Sequence, residues 1–446
     1  MTIAILPCGR CRRLARALLG PWHAVFLLLA VLIAVSPSAV RAQVDTLETL
    51  LSALATARGG ETIRLAGGTY GKLEVINGRQ GVMSDFASEV TIVAADPANP
   101  PVFSGVDLRG GANLTFDGVV FDYAFAPDHP VHLKPFYFEE MRNLTIRNSL
   151  VHGDLAREIS AEEDGLPWAQ GLNFNGGSNI TIENVEITLF HRGMVMGGVD
   201  GATIRNNDLH GIRVDGMDFV QMQDTLIEGN HIHDFNRSRL RSDHSDMIQF
   251  WTRGSTRPSI NIIIRGNLLN SGIGSGTQSI FMRNEEVDNG RAGEEMFYQD
   301  ILIEENVIIN GHLHGITVGE TDGLTIRRNT LLRNQNSARG ENRGRTVTIP
   351  GINIAGSSKN VAILDNIAAR FPEPAPDRWV EGNLQVQDIS PLQPGYYHRL
   401  FAAALLGDPR ELENFIYLPE VGLGRPNGDW PGASLLRPGA DRSAFR

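Results

Sequence analysis

The chain has 446 residues, with 51 acidic against 40 basic side chains (formal charge −11), 48 glycines, 22 prolines and two cysteines. An acidic balance of this size argues against nucleic acid or an anionic membrane as the main partner. The length allows one large Gly-rich domain with a sizeable core.

In chain order, Arg10, Arg12, Arg13 and Arg16 precede the apolar run AVFLLLAVLIAV, and small residues follow as far as Ala42. This is the pattern of a secretory signal peptide over residues 1–42. The run is shorter than the roughly 20 residues a spanning helix requires. The expectation is therefore a secreted or periplasmic protein with no membrane span after cleavage. Without residues 1–42, which hold five arginines, no acid and both Cys8 and Cys11, the charge falls to −16. No disulfide or cysteine metal site is then available, and stability must come from packing.

The segment DTLETLLSALAT follows, in which Asp45 and Glu48 form an expected capping box and Leu47, Leu50, Leu51 and Leu54 share one helical face. Beyond it the chain repeats. NLTIRNS, NITIENV, GATIRNN, DTLIEGN, INIIIRGN, DILIEEN, GLTIRRN and NVAILDN align on Ile146, Ile182, Ile204, Ile227, Ile264, Ile303, Ile326 and Ile363, a unit of 22 or 23 residues interrupted by longer insertions. A second strand-like piece (GLNFNG, GMVMGG, GMDFVQ, DMIQFW, SIFMRN, GITVGE, GINIAG) recurs within each unit. Period-two alternation makes these half-buried strands, and stacked coils place each strand parallel to its copy. Asn148, Asn184, Asn230, Asn267, Asn306, Asn329 and Asn366 follow the aligned isoleucines at the turns, where Asn tolerates left-handed geometry and bonds the next coil.

Taken together, the helical segment and the coils resemble the right-handed parallel β-helix proteins of the pectin-lyase-like family. That resemblance implies an all-β solenoid over residues 43–370 with an N-terminal helical cap, and a polysaccharide ligand. After Phe371 the text turns Pro-rich, and residues 371–446 read as an irregular C-terminal cap and tail, with a short helix over the last coil.

Insertions leave such a scaffold as surface loops, where function concentrates. The large ones are 153–170, 235–245, 284–299 and 334–349, and three of them surround the coils that contain VDGMDFVQ, HSDMIQFW, IFMRNEE and HLHGITVGE. Asp218 with Gln221 and Asp246 with Gln249 share a D-x-x-Q pattern that, if aligned, stacks Asp218 on Asp246, facing outward. His244 and His314 stand just before outward strands and are the expected proton-transfer groups; His191 occupies a similar place. The three lysines after residue 42 lie elsewhere, so a carboxylate clamp must come from arginine, with Arg283, Arg241 and Arg192 as candidates. Gln249 and Trp251 complete the expected substrate-binding set.

Two chemistries fit these residue types. An Asp beside His and Arg suits removal of the C5 proton of a uronic acid, as in a lyase or C5-epimerase. An Asp pair suits inverting hydrolysis. Resemblance to polygalacturonases implies Asp215, Asp246 and His314 as the matching positions. Val214, Ser245 and Leu313 depart from that pattern, an extra coil intervenes, and there is no Arg-Ile-Lys element. A calcium ion held by Asp215, Asp218 and Asp246 and a non-catalytic polysaccharide-binding or export-scaffold role are further alternatives. The expected protein is monomeric, acts on an acidic polysaccharide and does not bind nucleic acid.

Overall fold

Ile146, Ile182, Ile204, Ile227, Ile264, Ile303, Ile326 and Ile363 stand directly on one another in parallel register. All eight are fully buried. The computed structural model describes residues 44–77, 84–238, 240–241, 243–273, 277–338, 349–418 and 431–445. The expected leader lies outside them, and so do residues 339–348 of the 334–349 insertion. Around the isoleucine column the chain winds as a coil with three parallel strand ladders.

The first ladder runs from Gly68–Ile76 to Gly351–Ile354, and includes Arg192–Gly197, Asp215–Val220, Asp246–Trp251, Gln278–Met282 and His314–Val318. Its core column is Leu172, Met194, Met217, Ile248, Ile280, Ile316 and Ile352. The second, carrying the isoleucines, has 12 strands from Thr62–Leu65 to Arg378–Glu381. The third is built of two- or three-residue strands from Val120–Asp122 to Leu384–Gln385. Both last strands lie past residue 370, so the pairing continues beyond the point where the repeat fades from the text. Short strands need few pattern residues, which is why the last coil is silent there.

The turn between the second and third ladders divides two roles between neighbouring residues. Left-handed backbone falls on Asn148, Asn184, Asn206, Gly229, Gly266, Glu305, Arg328 and Asp365. The next position, from Asn207 through Asn230, Asn267, Asn306, Asn329 and Asn366, is buried and forms a continuous amide ladder. Asn267, for example, donates from Nδ2 to the Ile227 carbonyl and accepts the Asn230 backbone N–H at Oδ1. Thus Asn148 and Asn184 supply the left-handed bend, while the later asparagines satisfy buried backbone.

At the N-terminus the helix Leu47–Thr56 buries Leu50 and Leu54. Thr46 and Thr49, not Asp45 and Glu48, form the capping box: each side chain accepts the other's backbone N–H. The C-terminal segment makes 3₁₀ turns at Tyr397–Arg399 and Leu412–Phe415 in place of the expected short helix. Its Tyr397, Phe401, Phe415 and Tyr417 pack with Leu268, Val307, Ile309, Leu332 and Ile367 of the third ladder. That segment therefore covers an apolar flank of the solenoid, not merely its open end.

Replacing Asn267 by Ala strands the Ile227 carbonyl and the Asn230 N–H in the core, at a cost of about 3 kcal/mol. Asn175→Ala, which removes exposed bonds to Glu139 and Tyr137, should cost under about 1 kcal/mol. Equal shifts in denaturation midpoint for the two variants would show that the amide ladder does not hold the coils.

Candidate active site

Strand pairing decides which of the sequence-predicted residues meet. Asp218 pairs with Gln249, and Phe219 with Phe250. The two D-x-x-Q segments are therefore offset by three: Gln221 is a left-handed turn residue, whereas Gln249 is mid-strand. Asp246 instead reaches Asp215, whose Oδ1 accepts the Asp246 backbone N–H at 3.2 Å. Close approach beneath this point needs glycine, because a Cβ on Gly216 would come within 2.6 Å of the Met247 carbonyl oxygen.

Asp215, Asp218 and Asp246 are all buried, not outward and solvated as the alignment predicted. Asp215 and Asp246 stand two residues before the core residues Met217 and Ile248, and Asp218 is shielded by Arg192 and Trp251. Arg192 answers two of them, with Nε 2.9 Å from Asp215 Oδ2 and Nη1 3.5 Å from Asp218 Oδ2. Trp251 Nε1–H donates to Asp218 Oδ1 at 2.6 Å. Burial holds Asp215 well above the usual carboxylate range, and Asp218 beside it adds to the effect while Arg192 opposes it. Asp218 is raised by burial too, with Arg192 and Trp251 acting against the shift.

Asp246 has a different partner. His244 Nδ1 stands 3.0 Å from Asp246 Oδ2, with 57% of the His244 side chain exposed and none of Asp246. Neither Asp246 oxygen has a well-aligned hydrogen-bond donor among the described residues. Its carboxyl is raised by burial, against the pull of His244 and nearby arginines. The carboxylate in turn raises His244, which Arg237 and Arg283 partly oppose. On the far side of the imidazole, Nε2 lies 2.7 Å from the Gln278 amide nitrogen. With Gln278 donating, Nδ1 carries the proton toward Asp246 and the Nε2 lone pair accepts the Gln278 amide N–H. The pair is an acid-oriented imidazole with one reactive edge at the surface.

His314 shares this face. Phe281 stands between it and His244, with ring centroids 5.8 Å from His244 and 5.4 Å from His314. Its Nδ1 is 2.9 Å from Thr317 Oγ1, and burial, Arg370 and His244 lower its pKa. Arg283 ends the neighbouring strand and is half exposed, with Nε 2.9 Å from Asp288. Arg241 is drawn aside to Glu162 and Glu163. His191 is buried and presents no open face.

Sequence reasoning missed the group that fixes the flanking loops. Arg213, buried in the bend before Asp215–Val220, binds Glu163 at 2.6 Å and Asp243 at 2.9 Å, joining the 153–170 and 235–245 insertions. An arginine followed by an apolar strand gave no signal, because its acids come from insertions 50 and 30 residues away. Calcium does not fit the carboxylate trio. Such an ion takes 6–8 oxygen ligands, whereas Asp215 and Asp218 are already committed to Arg192, Trp251 and a backbone N–H.

Residues 104–370 match the family model for the right-handed β-helix region. The chain belongs to the right-handed β-helix family. No curated protein sequence matches it. Among solved structures it is similar to the Dettilon tailspike protein, at 13% identity over 78% of this chain and 63% of that one, with a TM-score of 0.53. It thus spans under two thirds of the tailspike. An alginate lyase from Paenibacillus sp. str. FPU-7 is similar at 14% identity over 76% and 98% of the two chains, TM-score 0.42. PfbA, a surface adhesin of Streptococcus pneumoniae, is similar at 14% over 71% and 88%, TM-score 0.41. At these identities the likeness establishes a fold, and function must be argued from the site.

Burial, with Arg213, Arg192 and His132 nearby, pushes His191 down to about 3. The unfolded chain takes up this proton below about pH 6.5 while the folded protein refuses it, so stability is lost as pH falls from 6.5 toward 3. Between pH 6.5 and 4 the loss is roughly 3 kcal/mol. His191→Gln should flatten the pH dependence of the denaturation midpoint by that amount; an unchanged slope would mean that His191 titrates alike in both states.

Proposed function

We propose that this is an exported protein that processes a uronic-acid polysaccharide by abstracting the C5 proton, as a lyase or C5-epimerase. The observation that carries this reading is the His244–Asp246 pair: a buried carboxylate behind a half-exposed imidazole whose outer nitrogen accepts only the Gln278 amide, a bond that an entering substrate replaces. His244 Nε2 takes the C5 proton, and the imidazolium that forms is stabilised by Asp246. Arg283, with Arg237 nearby, neutralises the uronate carboxylate as negative charge builds on it.

Departure of electrons from the C5–H bond into a C4–C5 double bond breaks the C4–O bond, and the leaving oxygen is protonated. That proton is the one His244 has just accepted, which returns the imidazolium to its neutral form, while His314, its pKa lowered by burial, offers a hydrogen bond and not a proton. Return of a proton to the opposite face of C5, without C4–O cleavage, gives the epimer. Gln249 and Trp251 belong to the floor of this face, and Asp215, Asp218 and Arg192 form a neutralised support beneath it. The hydrolytic alternative fits less well, since two carboxyl groups acting on one sugar must both reach it with water between them; here they are buried and paired. Export is supported by the leader pattern over residues 1–42, and no helix among the described residues is long and apolar enough to cross a membrane.

Incubation with a panel of polyuronates should yield ultraviolet-absorbing unsaturated ends for a lyase, or altered residue ratios by proton NMR for an epimerase. New reducing ends without that absorbance would favour hydrolysis, and binding without any product would make the protein a polysaccharide-binding module. His244→Ala is expected to lower kcat/KM by about 10²–10⁴-fold.

Because Asp246 raises His244 and the neutral form is the base, activity should climb as pH rises through a midpoint above 6.5. Asp246→Asn should move that midpoint down and reduce kcat. A midpoint that stays in place would separate His244 from Asp246.

A further inference from the structure

The third ladder carries a second cluster of imidazoles that the chemistry above does not use. In the strands Asp208–His210 and His231–His233, Asp208 pairs with His231 and His210 with His233. Alternation sends Leu209 and Ile232 into the core and leaves the polar side chains on the outside. His233 Nε2 is 2.8 Å from Asp208 Oδ1, and His231 Nδ1 is 3.8 Å from the same oxygen. One donor atom from each of Asp208, His231 and His233 lies within 4.8 Å of the others.

A tetrahedral ion with bonds of about 2.0–2.1 Å spaces its ligand atoms about 3.3 Å apart. The two observed separations lie on either side of that value, and a rotation of the His231 ring out of its stack on His233 would bring both nitrogens onto one ion. The support is also in place. Without an ion His233 is an imidazolium that donates Nδ1–H to Asp234 and Nε2–H to Asp208; against burial, these two carboxylates together raise it to about 9. An ion would replace the Nε2 proton, and Asp234 would keep Nδ1–H in place. A carboxylate behind a ligating histidine is the usual outer-shell partner of a metal site. The His231 and His233 rings stack at 4.0 Å, and Phe445 of the C-terminal segment closes edge-on against His231 at 6.0 Å. No linear zinc spacing exists here: Asp208 is brought to His231 by one turn of the coil.

We propose that Asp208, His231 and His233 bind one divalent transition-metal ion of the zinc class, with the fourth position open to water. An N₂O donor set of two imidazoles and a carboxylate suits zinc and its neighbours better than calcium or magnesium.

The test is titration of the metal-stripped full chain with Co²⁺, read by visible d–d absorption, and with Zn²⁺ by calorimetry. One equivalent bound at micromolar Kd or tighter, with Zn²⁺ displacing Co²⁺, is the expected result. His233→Ala should weaken binding at least about 100-fold and Asp234→Asn about 10–100-fold, whereas His244→Ala should bind as the unaltered protein does. In case a variant fails to fold, histidine NMR of the unaltered protein decides the same question: Zn²⁺ should shift the His231 and His233 resonances and leave His244 in place. Absence of binding, binding insensitive to His233→Ala, or zinc shifts centred on His244 would each overturn the proposal.

Discussion

Parallel register is the constraint on which the rest of this molecule depends. A strand that slipped by one residue would turn its isoleucine outward and its polar neighbour inward. The isoleucine column opposes that slip by losing buried area, and the amide ladder opposes it by leaving backbone groups without partners. Each effect is modest for a single coil, but every coil adds both, and a repeat array sums such terms along its length. The first ladder inherits its register from its own core column of Met194, Met217, Ile248, Ile280 and Ile316, since links of unequal length join it to the second ladder.

From that inheritance follows the electrostatic character of the candidate site. Asp246 lands beside Asp215 rather than Asp218, and Arg192 is left to serve Asp215 and Asp218 together. Asp246 therefore has His244 as its main charged partner. Burial makes that partnership strong, since the carboxylate is removed from water and the imidazole edge is not. Insertions tied together by Arg213 flank the site, so the loops beside it are fastened by a residue that does not touch its reacting edge.

Much of the fold was legible in the text. The eight aligned isoleucines are the column found in space, and the Gly-rich second pieces are the first ladder. What could not be read were features fixed by one-residue differences. Asn148 and Asn184 look the same as Asn230 in the sequence yet occupy the bend and not the amide ladder. The D-x-x-Q likeness suggested an alignment that turn lengths forbid. Of the residues singled out in the sequence, His191, Arg192, Asp215, Asp218, His244, Asp246, Gln249, Trp251, Arg283 and His314 belong to, or adjoin, first-ladder strands, whereas Arg241 is drawn aside to Glu162 and Glu163. The burial of the aspartates was not legible, since the D-x-x-Q likeness hid that Asp246 stands in line with Ile248 and that Trp251 comes to Asp218. The Asp208, His231 and His233 cluster was hidden for a related reason: its members are neighbours only through the pitch of the coil.

The coil builds an oriented imidazole, with Asp246 behind His244 Nδ1 and Gln278 holding the Nε2 lone pair until a substrate replaces it. Nitrogen-15 NMR of the histidine side chains, without and with a short oligouronate, tests it most directly. Neutral His244 is predicted to carry its proton on Nδ1, and the oligouronate to perturb His244 more than any histidine of the third ladder. A neutral His244 protonated on Nε2, or one unmoved by the oligouronate at saturation, would contradict it.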